Sequence, residues 1–185
     1  DHFHLPLQSG SDEILKKMGR QYNGKEYFET VGRLRSVFPE AMISCDVIPG
    51  FPGETEEHFL ETVEFIKRCE LASLHVFPYS ARPNTRALRF PNHVEKPEVS
   101  RRAKVLRELS EQLYFTFARK CLGKTMEVLW ESSQDEHQMT VGKTKNYLPV
   151  RASLGDPSSH VGQISSVIIK GFLSSKDLLG LPVES

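Results

Sequence analysis

Apolar positions recur with two different periods along this chain, and the change from one to the other divides it. Residues 2–7 alternate and read as a short strand, after which Gln8-Ser9-Gly10-Ser11 makes a turn with Ser9 or Ser11 as a helix N-cap. Asp12 and Glu13 suit the positive first turn, Ile14, Leu15 and Met18 form the apolar stripe, and Gly19 ends the helix. A second helix is expected from about Gly24, with Tyr27, Val31, Leu34 and Phe38 on one face and a stop at Pro39. The apolar run 42–48 has strand length and leads through Pro49-Gly50-Phe51-Pro52-Gly53 into a helix opened at residues 54–57, which buries Phe59, Val63 and Ile66. Residues 73–79 form a third candidate strand. Strands alternating with helices at this spacing imply βα units around a parallel sheet, and three strands cannot close a barrel.

A connector at residues 91–97 precedes a long helix, with Pro97 in its first turn and Ala103, Leu106, Leu113 and Phe117 repeating every three or four residues. Beyond Cys121 the period falls to two. Runs at 125–131, 139–143, 147–152 and 163–172 are separated by Ser, Asp, Gly and Asn clusters, which indicates a small antiparallel β-barrel or sandwich. Two domains are therefore expected, residues 1–120 and 121–185.

Charge sharpens this division. Lys plus Arg number 24 and Asp plus Glu 24, but residues 1–81 hold eight basic and thirteen acidic side chains, residues 82–120 ten and four, and the remainder six and seven. The middle segment, with Arg82, Arg86, Arg89, Lys96, Arg101, Arg102, Lys104, Arg107, Arg119 and Lys120, could track a phosphate backbone or give a helix a solvated cationic face. No apolar run approaches the roughly 20 residues of a membrane span, so no membrane partner is expected. The first residues lack an initiator Met and a signal-peptide pattern, so the chain is expected to begin inside a longer protein. Cys45, Cys69 and Cys121 are too scattered for a disulfide framework or a metal site, so no metal ligands are assigned and a cytosolic protein is expected.

Three stretches carry candidate chemistry. Gly50-Phe51-Pro52-Gly53-Glu54-Thr55 lies between a strand end and a helix start, where parallel α/β folds bind ligands and helix N–H groups attract anions, although a plain βα turn has the same residues. A carboxylate at Asp46 within an apolar strand must meet a cation such as Arg20 or face a polar cavity. Gln8-Ser9-Gly10-Ser11 can cap a helix or touch a ligand.

Taken in order, His4-Leu5-Pro6-Leu7-Gln8-Ser9-Gly10-Ser11, Met18-Gly19-Arg20-Gln21-Tyr22, the run from Asp46 to Thr55, and Phe77-Pro78-Tyr79-Ser80-Ala81-Arg82-Pro83-Asn84-Thr85 closely resemble the radical S-adenosylmethionine (SAM) tRNA methylthiotransferases. Gly142-Lys143-Thr144-Lys145-Asn146-Tyr147 resembles the centre of the TRAM domain, the RNA-binding β-barrel that ends those enzymes. The resemblance implies an α/β fold, with the last three strands of an open, TIM-like radical SAM βα barrel followed by a small all-β, OB-like TRAM barrel. It also implies a cytoplasmic enzyme that adds a methylthio group to the adenosine beside the anticodon. His75-Val76-Phe77-Pro78-Tyr79-Ser80 is most similar to the branch acting on N6-threonylcarbamoyladenosine. The alternatives are isopentenyladenosine tRNA, an aspartate of a ribosomal protein, a non-catalytic tRNA-binding module, and a phosphate-ligand enzyme built on the Gly50 turn.

In that family SAM is cleaved on one [4Fe–4S] cluster and a second supplies sulfur, with both cluster loops expected in an N-terminal region outside this chain. By resemblance, Gln8, Ser9, Arg20, Asp46, Ile48 and Gly50 would contact SAM, Arg20 pairing its carboxylate. Tyr79, Ser80, Arg82 and Thr85 would meet a flipped base of the anticodon stem-loop. Lys143, Lys145 and Arg151 beside Asn146 and Tyr147 would pair phosphates next to an aromatic platform, or be solvated lysines on a strand around a core Tyr147.

Overall fold

The computed structural model describes residues 1–132, 139–155 and 157–183. The chain divides into two compact units, Phe3–Phe115 and a second made of Asp1–His2 with Thr116–Ser185.

In the first unit, strands β1 (His2–His4), β2 (Met42–Val47) and β3 (Ser73–Val76) lie side by side in that order, with helices α1 (Asp12–Lys17), α2 (Gly24–Val37) and α3 (Glu56–Arg68) between them. The pairing of β2 with β3 is parallel, and Gln8 bridges Val47 in the same sense. One sheet face carries Ile43, Cys45, Val47 and Leu74, which pack with Leu7, Tyr27, Val31, Phe59 and Ile66 into one core. Helix α4 (Lys96–Arg119) adds Leu106 and Leu109 to that core, and its Ser110 hydroxyl accepts the Leu74 N–H of β3 at 2.8 Å. A side chain therefore satisfies a donor that an edge strand would leave bare.

Local chemistry sets the helix boundaries. Asn23 and Glu26 form a reciprocal capping box at α2, and Thr55 with His58 does the same at α3. At α1 the expected serine cap is absent: Ser11 occupies the N-cap position without a side-chain bond, and the Ser9 hydroxyl accepts the Ser11 N–H at 3.2 Å. Two predicted strands are shorter than expected, because Pro6 and Pro78 interrupt them and cannot donate to a ladder. Hydrogen bonds nevertheless continue past both ends, from Gln8 N to Asp46 O, Phe77 N to Val47 O and Tyr79 N to Pro49 O.

The second unit is a closed barrel of β4 (Thr125–Ser132), β5 (Thr140–Thr144), β6 (Pro149–Ala152), β7 (Ile164–Phe172) and β8 (Leu178–Pro182), ordered β4-β5-β6-β8-β7. Val128, Trp130, Leu148, Val150, Val167, Ile169 and Leu178 fill it, each fully buried. Gly142 is required by crowding, since a Cβ there would lie 2.5 Å from the Leu129 carbonyl oxygen. The antiparallel expectation needs correction at one seam, because β6 and β8 run parallel. Alternating directions cannot close around an odd number of strands, so a five-stranded ring must contain a parallel pair. The sequence pattern also misses β8, whose Leu-Leu-Gly-Leu-Pro run does not alternate and contains two turn-forming residues.

Candidate functional site

The loops that leave the three parallel strands gather several of the expected residues at the carboxyl edge of the sheet. Gln8 is 6% exposed and adopts φ 69°, a strained value for a side chain. Its N–H donates to Asp46 O at 2.8 Å and its carbonyl accepts from Ile48 N at 2.9 Å, so the first two loops are stitched by backbone. Ser9 is buried, and its hydroxyl lies 3.2 Å from that of Thr62 on α3; this side chain holds the turn.

Gly50 lies in the next loop at φ 82°, where a Cβ would fall 2.5 Å from a Val99 methyl. Its N–H donates to Glu54 Oε2 at 2.6 Å. Glu54 in turn meets Arg102 Nη1 at 2.8 Å, with side chains 2% and 5% exposed respectively. Arg102 also donates to Glu54 O at 3.0 Å and Glu98 Oε1 at 2.7 Å, while Arg101 bridges Glu56 and Glu98. Burial pushes the Glu54 carboxyl up, against the pull of the Gly50 N–H and Arg102. Burial equally opposes the Arg102 charge, but its bonds to Glu54 and Glu98 outweigh that and hold the guanidinium protonated. The first turns of α4 therefore clamp the Gly50 loop through a buried ion pair. Within residues 82–120, read as a possible phosphate track or a solvated cationic face, Arg101 and Arg102 are instead committed to carboxylates. The sequence hid the clamp because its partners are about 48 residues apart.

Asp46 departs from expectation in another way. Its carboxylate meets His4 Nε2 at 3.0 Å and His75 Nδ1 at 3.6 Å. Arg20 is exposed, and its guanidinium makes no hydrogen bond or ion pair among the described residues. The proposed cation partner of Asp46 is thus replaced by two imidazoles from the flanking strands. Ile48, half-buried, follows two residues later.

In the third loop Tyr79 lies edge-on to Phe51 with ring centroids 5.5 Å apart, and its buried hydroxyl has no hydrogen-bond partner among the described residues. Ser80, Arg82 and Thr85 are exposed. Pro83 and Asn84 occupy the corner of a turn in which the Thr85 hydroxyl donates to Arg82 O at 2.8 Å, and Asn84 takes φ 64° there. An open cavity of about 930 Å³ is lined by Gly10, Asp12, Gly24 and Phe65, and none of the expected SAM or base contacts lines it.

The barrel residues form a second group. Lys145 and Tyr147 are exposed, Tyr147 at φ 68° with its ring stacked on His2 at 4.9 Å. Lys143 pairs with Glu131 at 2.9 Å and lies 5.5 Å above the Tyr147 ring. Arg151 pairs with Asp177 at 3.1 Å. Asn146 is turned inward, 4% exposed, its Oδ1 accepting from Thr144 Oγ1 at 2.6 Å. Its amide shapes the turn, which leaves surface contact to its neighbours; the Lys-Asn-Tyr sequence alone could not separate those roles.

The cysteines do not fit an iron–sulfur cluster. Cys45, Cys69 and Cys121 are all buried in packed interiors, and burial pushes the Cys45 thiol up and that of Cys69 up to about 12, away from the thiolate a cluster requires.

Residues 1–66 match the radical SAM superfamily. The chain is 39% identical to threonylcarbamoyladenosine tRNA methylthiotransferase MtaB of Bacillus subtilis over 153 residues, covering 81% of this chain and 34% of that protein. The chain is a homologue of the radical SAM tRNA methylthiotransferases. It is also 37% identical to the tRNA-2-methylthio-N(6)-dimethylallyladenosine synthase of Bartonella henselae, over 97% of its own length and 38% of that relative. MtaB of Thermotoga maritima is 38% identical over 70% of the chain and 30% of the relative. The chain thus spans about a third of the length of the curated relatives it matches. Among its described residues, no helix is long and apolar enough to cross a membrane.

Proposed function

We propose that this chain supplies the carboxy-terminal part of the catalytic barrel and a TRAM-type, OB-like RNA-binding barrel of a cytoplasmic radical SAM tRNA methylthiotransferase. The domains are residues 1–120 and 121–185. One observation carries the reading: in a homologue of these enzymes, Gln8, Asp46, Ile48, Gly50 and Tyr79 meet at the carboxyl edge of adjacent parallel strands, where such folds bind ligands. SAM, the family's radical source, would be held by Gln8, Ser9, Arg20, Asp46, Ile48 and Gly50, with Arg20 free to pair a carboxylate and Ser9 and Gly50 contributing through backbone. Both [4Fe–4S] clusters would be held by residues outside this chain.

The substrate is the N6-threonylcarbamoyl-modified adenosine beside the anticodon, with Tyr79, Ser80, Arg82 and Thr85 facing the base. Lys143, Lys145, Tyr147 and Arg151 contact the stem-loop, with Asn146 holding their turn. Relatives named for dimethylallyladenosine are of similar identity, so that nucleoside is the competing substrate.

Filter binding of an anticodon stem-loop across a salt series tests the RNA half on this chain. Lys143→Ala with Lys145→Ala should reduce the log–log slope by roughly 0.7 for each phosphate no longer neutralised, whereas Tyr147→Ala should weaken binding and leave the slope. A parental slope near zero overturns RNA binding here. For the complete protein, nucleoside mass spectrometry after anaerobic turnover should find the methylthio group on threonylcarbamoyladenosine; its appearance on dimethylallyladenosine alone would transfer the assignment to the competing substrate.

A further inference from the structure

Three neighbouring strands each place one metal-ligating side chain on the same face of the sheet. His4 ends β1, and Asp46 of β2 and His75 of β3 are direct register partners. One donor atom from each lies within 4.8 Å of the other two. The opposite face, with Cys45 and Leu74, is packed into the core, so the backbone fixes where these three side chains originate.

His4 has a polar partner at each ring nitrogen. Nδ1 lies 3.0 Å from the Ser44 hydroxyl, which is itself within 3.4 Å of Phe3 O and is 1% exposed. With the Ser44 proton directed at that carbonyl, the hydroxyl accepts Nδ1–H, and a neutral imidazole then carries its lone pair on Nε2. In that tautomer the lone pair lies 3.0 Å from Asp46 Oδ1, and the two acceptors can share one metal ion. His75 supplies a third donor atom. Its Nδ1 is 3.6 Å from the same oxygen, too long for a hydrogen bond but close to the roughly 3.3 Å edge between two ligands held at about 2.0 Å around a tetrahedral ion.

We infer that His4 Nε2, Asp46 Oδ1 and His75 Nδ1 form a binding site for a borderline first-row divalent cation, with Zn²⁺ as the representative ion and at least one coordination position open. Two imidazoles and one carboxylate suit Zn²⁺, Co²⁺ and Ni²⁺ better than Ca²⁺ or Mg²⁺, which prefer oxygen-only shells. Ser44 orients the His4 ring from outside the coordination sphere, as hydrogen-bonded partners of metal-ligating histidines do. The site shares Asp46 with the proposed SAM contacts, but all three ligands belong to this chain and its test needs neither SAM nor tRNA.

Co²⁺ titration of the tag-free, metal-stripped chain tests it, followed by displacement with Zn²⁺. One equivalent of Co²⁺ should develop a visible d–d band that Zn²⁺ abolishes. Asp46→Asn, His4→Ala and His75→Gln should each weaken Zn²⁺ binding more than tenfold, and Ser44→Ala by about 10- to 100-fold. Zn²⁺ should raise the melting temperature of the parent and not that of His75→Gln, whose exposed position leaves folding intact. Absence of the Co²⁺ band at stoichiometric metal would overturn the inference. So would a band that persists in His75→Gln and Asp46→Asn, which would place the metal on other histidines.

Discussion

The two units solve the problem of polar backbone in opposite ways. In the barrel every strand has a partner on both sides, and the interior is mostly apolar: Trp130 is fully buried and gives its indole N–H to Ser165 at 2.8 Å. The α/β unit has three strands in an open row, with one face packed and the other carrying His4, Ser44, Asp46 and His75. Its loops are held by a buried ion pair. Closure lets a small domain rely chiefly on packing, whereas this open parallel sheet with a polar face adds electrostatic ties that reach across the sequence.

The contrast predicts that each unit fails by its own mechanism. Trp130→Ala should have the largest effect, about 3–5 kcal/mol, through lost transfer energy and the cavity left behind. Native-state hydrogen exchange should show amides of β4–β8 losing protection while those of β2 and α3 keep theirs. Equal loss in both units would mean that they unfold as one. Arg102→Met comes next, at about 3 kcal/mol, because it strands Glu54 in the interior. Here β2 and α3 should lose protection and the barrel should not, and Glu54→Gln added to Arg102→Met should recover part of the loss. Simple additivity of the two substitutions in urea melts would remove the ion pair from the account.

The smallest effect concerns pH. Hydrogen bonds from Arg101, then Arg102, hold Glu98 down to about 2. A depressed carboxyl stabilises the folded state above the ordinary carboxylate range, and that contribution disappears as pH falls from about 4.5 towards 2. Glu98→Gln should therefore flatten the acid side of the stability curve by less than about 1 kcal/mol, since the group is partly exposed. Glu54, shifted upward, contributes with the opposite sign, so comparing parent and variant melts across that window isolates Glu98. An unchanged acid slope would exclude Glu98 from the tie.

Much of this contrast was legible before the fold. The helical stripes of α2, α3 and α4 and the alternation of β4 to β7 follow from local periods, because each residue answers to neighbours one turn or one pleat away. The Gly50 loop was visible as a ligand-type turn for the same reason. What escaped depends on register between distant segments. Asp46 faces His75 only because β2 and β3 align as they do, and Arg102 reaches Glu54 only because α4 returns to the loop. Asn146 and Ser9 were legible as polar turn residues, but whether such side chains point inward is decided by packing around them.

The parallel seam between β6 and β8 has a kinetic consequence. Strands β4 and β5 can pair as a local hairpin, and β7 can join β4 at longer range, but the ring stays open until β8 docks between β6 and β7. Closing that seam brings together Val150 and Leu178, separated by a long stretch of chain, so it carries the loop-closure cost that slows non-local pairing. During synthesis the half-made barrel presents two bare strand edges, with Ile169 and Val150 exposed to whatever chain is nearest, and β8 acts as the plug that ends this aggregation-prone interval.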